Sequence, residues 1–75
     1  MPRFPVVSGR EVVRALERIG FTQIDQEGSH VKLRRLSEDR TLTVIVPLHP
    51  ELARKTLSSI LKQARLTVDN LTRYL

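Results

Sequence analysis

The chain carries two histidines, and they stand in unlike settings. His30 lies in "GSHVKLRR", residues 28–35, where His30, Lys32 and Arg34 share one parity and Val31 and Leu33 the other. Side chains on a β-strand alternate between faces, so this spacing sets an imidazole and two cations in a row, roughly 7 Å apart in succession. Such a row suits a phosphodiester. Arg grips a phosphate with two parallel hydrogen bonds, and Lys acts as a point charge. The imidazole adds a proton exchanged near neutral pH, which neither cation offers. Against RNA it would take the ribose 2′-hydroxyl proton or protonate the departing 5′-oxygen, while the cations stabilise charge building on the phosphoryl oxygens. An internal nucleophile needs no metal or other cofactor. That matches a sequence without a dense carboxylate or Cys/His cluster. It also selects RNA, because DNA lacks the 2′-hydroxyl.

The pattern alone leaves bland readings open beside these. A strand histidine flanked by cations is often a solvated surface residue. Gly28 and Ser29 read either as a turn or as a point where backbone N–H groups meet phosphate. His49, in "PLHPEL", reads as a loop or cap histidine, or as a second proton shuttle or phosphate contact.

The elements that must position these residues are marked in the sequence. "SGREVVRALERIG" reads as a helix. Ser8 and Glu11 have capping-box spacing, Val7 and Val12 stand at the two staple positions, and Gly20 stands where a left-handed terminus belongs. Val12, Val13, Leu16 and Ile19 make its apolar stripe. Residues 1–7 form an extended lead-in. "FTQIDQ", 21–26, is a short strand, and "EG" at 27 and 28 a turn signal. "SHVKLRRL" and "TLTVIVP" alternate with period two across the polar connection 37–40, which predicts an antiparallel hairpin ended by Pro47. Leu57, Ile60, Leu61 and Ala64 mark a second helix ending near Arg65, with Thr56 as its cap and "ELAR" as a separate short turn before it. "TVDNLTRYL" predicts a last short helix capped by Thr67, with Leu71 and Leu75 facing inward.

The fold class is therefore α+β in the order α-β-β-β-α with a helical tail: a three-stranded antiparallel sheet, helices on one face, the other face open. Val31 and Leu33 belong under the helices, and His30, Lys32 and Arg34 on the open face. Arg35 falls at the inward parity and must escape to an edge.

Bulk properties agree with this reading. At 75 residues the expectation is one domain, 1–75, with a thin core. Thirteen Lys and Arg against eight Asp and Glu give a net charge of +5, with a pI near 10.8, which points to a polyanionic partner. There is no cysteine, so disulfides and thiolate metal sites are excluded, and a cytoplasmic location fits. No apolar run approaches the length of about 18 residues needed to span a membrane, and "MPRFPVVSGR" does not read as a secretion signal.

The segments "GREVVRALERIGF", "QEGSHVKLRR" and "TVIVPLHPELARKTLSSILKQARLT" together resemble the HicA toxin family, the small mRNA-cleaving partners of HicB antitoxins. The resemblance runs from about residue 8 to 70. It implies a fold like the double-stranded RNA-binding domain (dsRBD-like) and ribosome-independent cleavage of mRNA. It makes His30 of the "GSH" motif the catalytic histidine, with Gly28 and Ser29 in the same motif. His49 matches the family's second common histidine, without a role. The implied partners are mRNA and a HicB-like antitoxin that masks the histidine face. DNA binding belongs to the antitoxin, so none is expected of this chain alone. Two positions depart from the family pattern: Arg65 and Lys55 stand where glycine is common.

Three functions follow as expectations. The leading one is a metal-independent endoribonuclease toxin with His30 as general acid or base, and Gly28, Ser29, Lys32 and Arg34 on the substrate. The others are a non-catalytic RNA-binding module and a domain that meets only an acidic protein. Aromatics are limited to Phe4, Phe21 and Tyr74, which argues against reading of bases by stacking.

Overall fold

The computed structural model describes residues 3–75. The elements are α1 (Gly9–Ile19), β1 (Thr22–Glu27), β2 (His30–Leu36), β3 (Thr41–Pro47), α2 (Arg54–Ala64) and α3 (Val68–Arg73). Residues 3–7 of the expected lead-in carry no helix or strand, and residues 1 and 2 lie outside the described residues.

Helix α1 starts where its sequence says. The Ser8 N–H donates to Glu11 Oε1 at 2.9 Å, and the Glu11 N–H donates to Ser8 Oγ at 3.1 Å. Each bond satisfies a backbone donor that the first turn leaves without an intrahelical partner. The staple closes as well, with Val7 and Val12 both buried. At the far end Gly20 takes φ 127°, and the Phe21 N–H donates back to Leu16 O at 2.9 Å. Phe21 is thereby tied to the helix terminus and buried, so β1 begins at Thr22, one residue later than the pattern indicates.

The sheet is antiparallel throughout, in the order β1-β2-β3. β2 and β3 pair without interruption from His30↔Pro47 to Leu36↔Thr41. Val31 and Leu33 of β2 and Val44 and Val46 of β3 share the covered face. They pack in one cluster with Val12, Ala15 and Leu16 of α1, the predicted stripe of α2 (Leu57, Ile60, Leu61, Ala64), and Val68 and Leu71 of α3. The opposite face of the sheet is open, which is the dsRBD-like α+β arrangement expected. Arg35 does escape: its side chain runs against Gly20 at the end of α1, where an added Cβ would stand 3.5 Å from Arg35 Nε.

Two details differ from the sequence reading. Helix α2 starts at Arg54, with Ala53 as an N-cap that offers no side-chain bond, so Thr56 lies inside the helix and "ELAR" is not a separate turn. The cause lies upstream. Leu52 is buried and its N–H donates to Val7 O at 2.8 Å, which pins the chain so that Ala53 already stands at the helix entrance. At the C-terminus, Thr67 and Asn70 form the expected cap of α3 and Leu71 is fully buried, but Leu75 is 41% exposed. The helix ends at Arg73 and the Leu75 N–H donates to Thr72 O, a tighter turn that carries Leu75 off the Leu71 stripe. Val68 fills the inward position instead.

Arg65 ends α2 in the left-handed conformation, φ 57° and ψ 44°, with its N–H on Leu61 and Lys62 carbonyls. The helix therefore stops where a glycine would stop it, at the backbone cost of a side chain at positive φ. Among the described residues no helix is long and apolar enough to cross a membrane.

Candidate functional site

The β1–β2 hairpin closes through two residues, Gly28 and Ser29. Gly28 has φ 60° while Ser29 has no positive φ, the pattern of a type II′ turn, whose first central position favours glycine. A Cβ at Gly28 would meet nothing within 4 Å, so glycine here answers a backbone requirement only. The Ser29 carbonyl accepts from the Leu48 N–H at 2.6 Å, which ties the turn to the chain leaving β3. His30 is thus the first residue of β2, held by the turn on one side and by Pro47 on the other.

The expected row is present. Val31 and Leu33 are buried, His30 and Arg34 are exposed, and Lys32 is half-buried. The registers extend the row into a grid across the open face. Glu27, His30 and Pro47 form one line, Asp25, Lys32 and Ile45 the next, and Thr22, Arg34 and Thr43 the third. His30 and Lys32 line one concavity of about 270 Å³ with Asp25, Glu27 and Ile45. The only ion pair among the described residues is Asp39–Arg40, so Glu27–His30 and Asp25–Lys32 face each other without closing.

The two carboxylates are the members that sequence reasoning missed. It assigned Glu27 to the turn, whereas the turn is Gly28–Ser29 and Glu27 is the last rung of the ladder, opposite His30. A two-residue loop always makes its flanking residues a facing pair, and that signal was available. The register of the rest of β1 was less legible. It shifts between Gln23 and Asp25, with Ile24 as the extra residue, so Gln23 and Gln26 both turn toward α1 while Asp25 and Glu27 stay on the open face.

Gly28 and Ser29 are exposed at the hairpin tip beside His30. His49 is exposed two residues past β3, and it is not among the residues lining the His30 concavity. What His49 contributes is backbone: its carbonyl accepts from the Gly9 N–H at 2.9 Å. Gly9 is where α1 meets the end of β3, and a Cβ there would overlap the Pro47 carbonyl oxygen and stand 2.9 Å from Leu48 Cα. The first turn of α1 therefore buttresses the segment facing His30. No group of three or more His, Cys, Asp or Glu side chains suited to hold a metal ion forms among the described residues.

Fold and site together define a small α+β protein of dsRBD-like build with a histidine and cations on its free sheet face. Comparison with known families agrees: the family model described as the HicA toxin of bacterial toxin–antitoxin systems matches residues 9–66. The chain belongs to the HicA toxin family, which makes it a toxin of a toxin–antitoxin system with a cognate antitoxin as partner. No curated protein matches the sequence.

Proposed function

We propose that the toxin is a metal-independent endoribonuclease that cleaves mRNA without the ribosome, with His30 as its general acid or base. The observation that carries this reading is the setting of His30: exposed on the open face, unpaired, and in one concavity with Lys32. The ribose 2′-oxygen attacks the adjacent phosphorus and gives up its proton. The P–O5′ bond breaks, and the leaving oxygen takes a proton. The products are a 2′,3′-cyclic phosphate and a 5′-hydroxyl. His30 serves one of these transfers, or both in turn. Lys32 holds the reacting phosphate and stabilises its developing charge. Arg34, which lines a separate depression with Gly20 and Thr22, binds a neighbouring phosphate, and the hairpin tip at Gly28 and Ser29 borders the RNA. No separate role is given to His49.

The same face suits control by a HicB-like antitoxin, since an acidic surface complementary to the cations would exclude RNA from it. Such a toxin acts where mRNA is, in the cytoplasm. The test is to map product ends after incubation with a long RNA in the presence of EDTA. Cyclic phosphate ends, and resistance of a 2′-O-methyl substrate, are the expected results. A strict need for Mg²⁺, or 3′-hydroxyl ends, would overturn the mechanism.

A further inference from the structure

The open face is not uniformly basic, and its unevenness bears on how RNA would lie across it. Each line of the grid runs from β1 through β2 to β3, and the charges change sign along it. Asp25 and Glu27 stand on β1, Lys32 and His30 on β2, and uncharged Ile45 and Pro47 on β3. A polyanion crossing toward β1 meets two exposed carboxylates. A polyanion crossing toward β3 meets none.

Beyond β3 the surface continues onto α2. The Ile45 N–H, which faces outward from this sheet edge, donates to Gln63 Oε1 at 3.0 Å, and Gln63 Nε2 donates to Ser59 Oγ at 3.3 Å. These bonds fasten the helix to the strand edge. Ile45 forms one wall of the His30 concavity and also one wall of a second depression of about 290 Å³ lined by Lys55, Thr56, Ser59, Ile60 and Gln63. The two depressions adjoin at Ile45, and no acidic side chain lines the one on α2. Arg54, the neighbouring cation, is engaged elsewhere, 4.7 Å above the Phe4 ring. Lys55 is the cation that lines the depression on α2.

We infer that single-stranded RNA runs from the His30–Lys32 concavity over Ile45 onto α2, where Lys55 binds a backbone phosphate, and that Asp25 and Glu27 bar the path over β1. The inference rests on the ribonuclease reading for its ligand and adds a direction and a new contact to it. Lys55 binds substrate and takes no part in the proton transfers.

The test uses the full chain in a His30→Ala background, so that RNA is bound without being cut. The probe is a fluorescently labelled single-stranded RNA of about 12 nucleotides, titrated by anisotropy at several salt concentrations. Losing one phosphate contact reduces the slope of log K against log salt by about 0.7. Lys55→Ala should show that reduction and weaken binding roughly threefold, while Arg73→Ala on α3 changes neither. Lys55→Glu separates binding from folding. A carboxylate in the first turn of a helix is favourable, so this variant should melt about 2–5 °C higher yet bind RNA roughly tenfold more weakly. If Lys55→Ala and Lys55→Glu bind like Arg73→Ala while Lys32→Ala is impaired, the α2 path is overturned and the ribonuclease reading stands. If the parent binds no RNA at any salt concentration, both are overturned.

Discussion

Gly9→Ala is the substitution whose cost follows most directly from the structure. The added methyl would overlap the Pro47 carbonyl oxygen and stand 2.9 Å from both Pro47 C and Leu48 Cα. The overlap with the carbonyl oxygen is the limiting contact, so α1 would have to withdraw from β3 by at least roughly 1 Å. The obstructing atoms are backbone at the end of a paired strand and cannot rotate aside. Such overpacking costs about 1–3 kcal/mol. The withdrawal also stretches the 2.9 Å bond from the Gly9 N–H to His49 O, a further loss of about 0.5–1.5 kcal/mol. The better helix propensity of alanine returns at most about 1 kcal/mol. The net loss is about 2–3 kcal/mol, from a total of about 4–11 kcal/mol for a chain of 75 residues. Thermal unfolding followed by circular dichroism should show a Tm lower by about 10–20 °C. A Tm within about 2 °C of wild type would refute the close approach of α1 to β3, and with it the buttress behind the strand end that faces His30.

Arg65→Gly should stabilise. It relieves about 1–2 kcal/mol of left-handed strain and loses about 0.4–1 kcal/mol to the more flexible unfolded chain, a net gain of about 0.5–1 kcal/mol measurable as a shift in urea midpoint; a lower midpoint would contradict the φ of 57°. Gly28→Ala should cost about 1–2 kcal/mol from backbone strain alone, since nothing lies within 4 Å of the new Cβ, and equal stability would argue against the II′ turn. The Glu11 carboxyl is held below its ordinary value of 4.5 by the Ser8 backbone N–H first and then by the Ser8 side chain, with burial opposing them and the charge of Arg14 adding a lesser downward push. A lowered folded value means that this stabilisation is present above the usual carboxylate range and is lost as pH falls through the folded value. Melting curves between about pH 7 and about pH 3 should therefore fall more steeply for wild type than for Glu11→Gln; parallel curves would contradict the linkage.

The α1 boundaries, the β2–β3 hairpin and the division of β2 into covered and open faces were legible because each is written in local pattern. The capping box needs only Ser8 and Glu11, and the strand faces need only period two. What escaped the sequence depends on contacts distant along the chain. The start of α2 is set by Leu52 bonding to Val7 and by no cap residue, so the reading that trusted Thr56 as a cap placed it three residues late. Leu75 has helical spacing from Leu71, but spacing does not reveal that the helix has already ended. The histidine and its cations were visible from parity, whereas Glu27 required knowing which two residues make the turn. The essential smallness of Gly9 was invisible, because nothing local shows that α1 and β3 meet there. Nor could spacing show that Lys55 and Lys32 lie on either side of Ile45.

The central claim is that the open sheet face carries a ribonuclease site centred on His30. Purified wild type and His30→Ala, incubated side by side with a long single-stranded RNA in EDTA and compared on a denaturing gel, test it most directly. His30 is exposed, so the variant should keep the wild-type circular dichroism spectrum. The account predicts that wild type cuts and the folded variant does not. Equal cutting by both proteins, or RNA retained uncut by both, would contradict it and leave the histidine as a surface or binding residue.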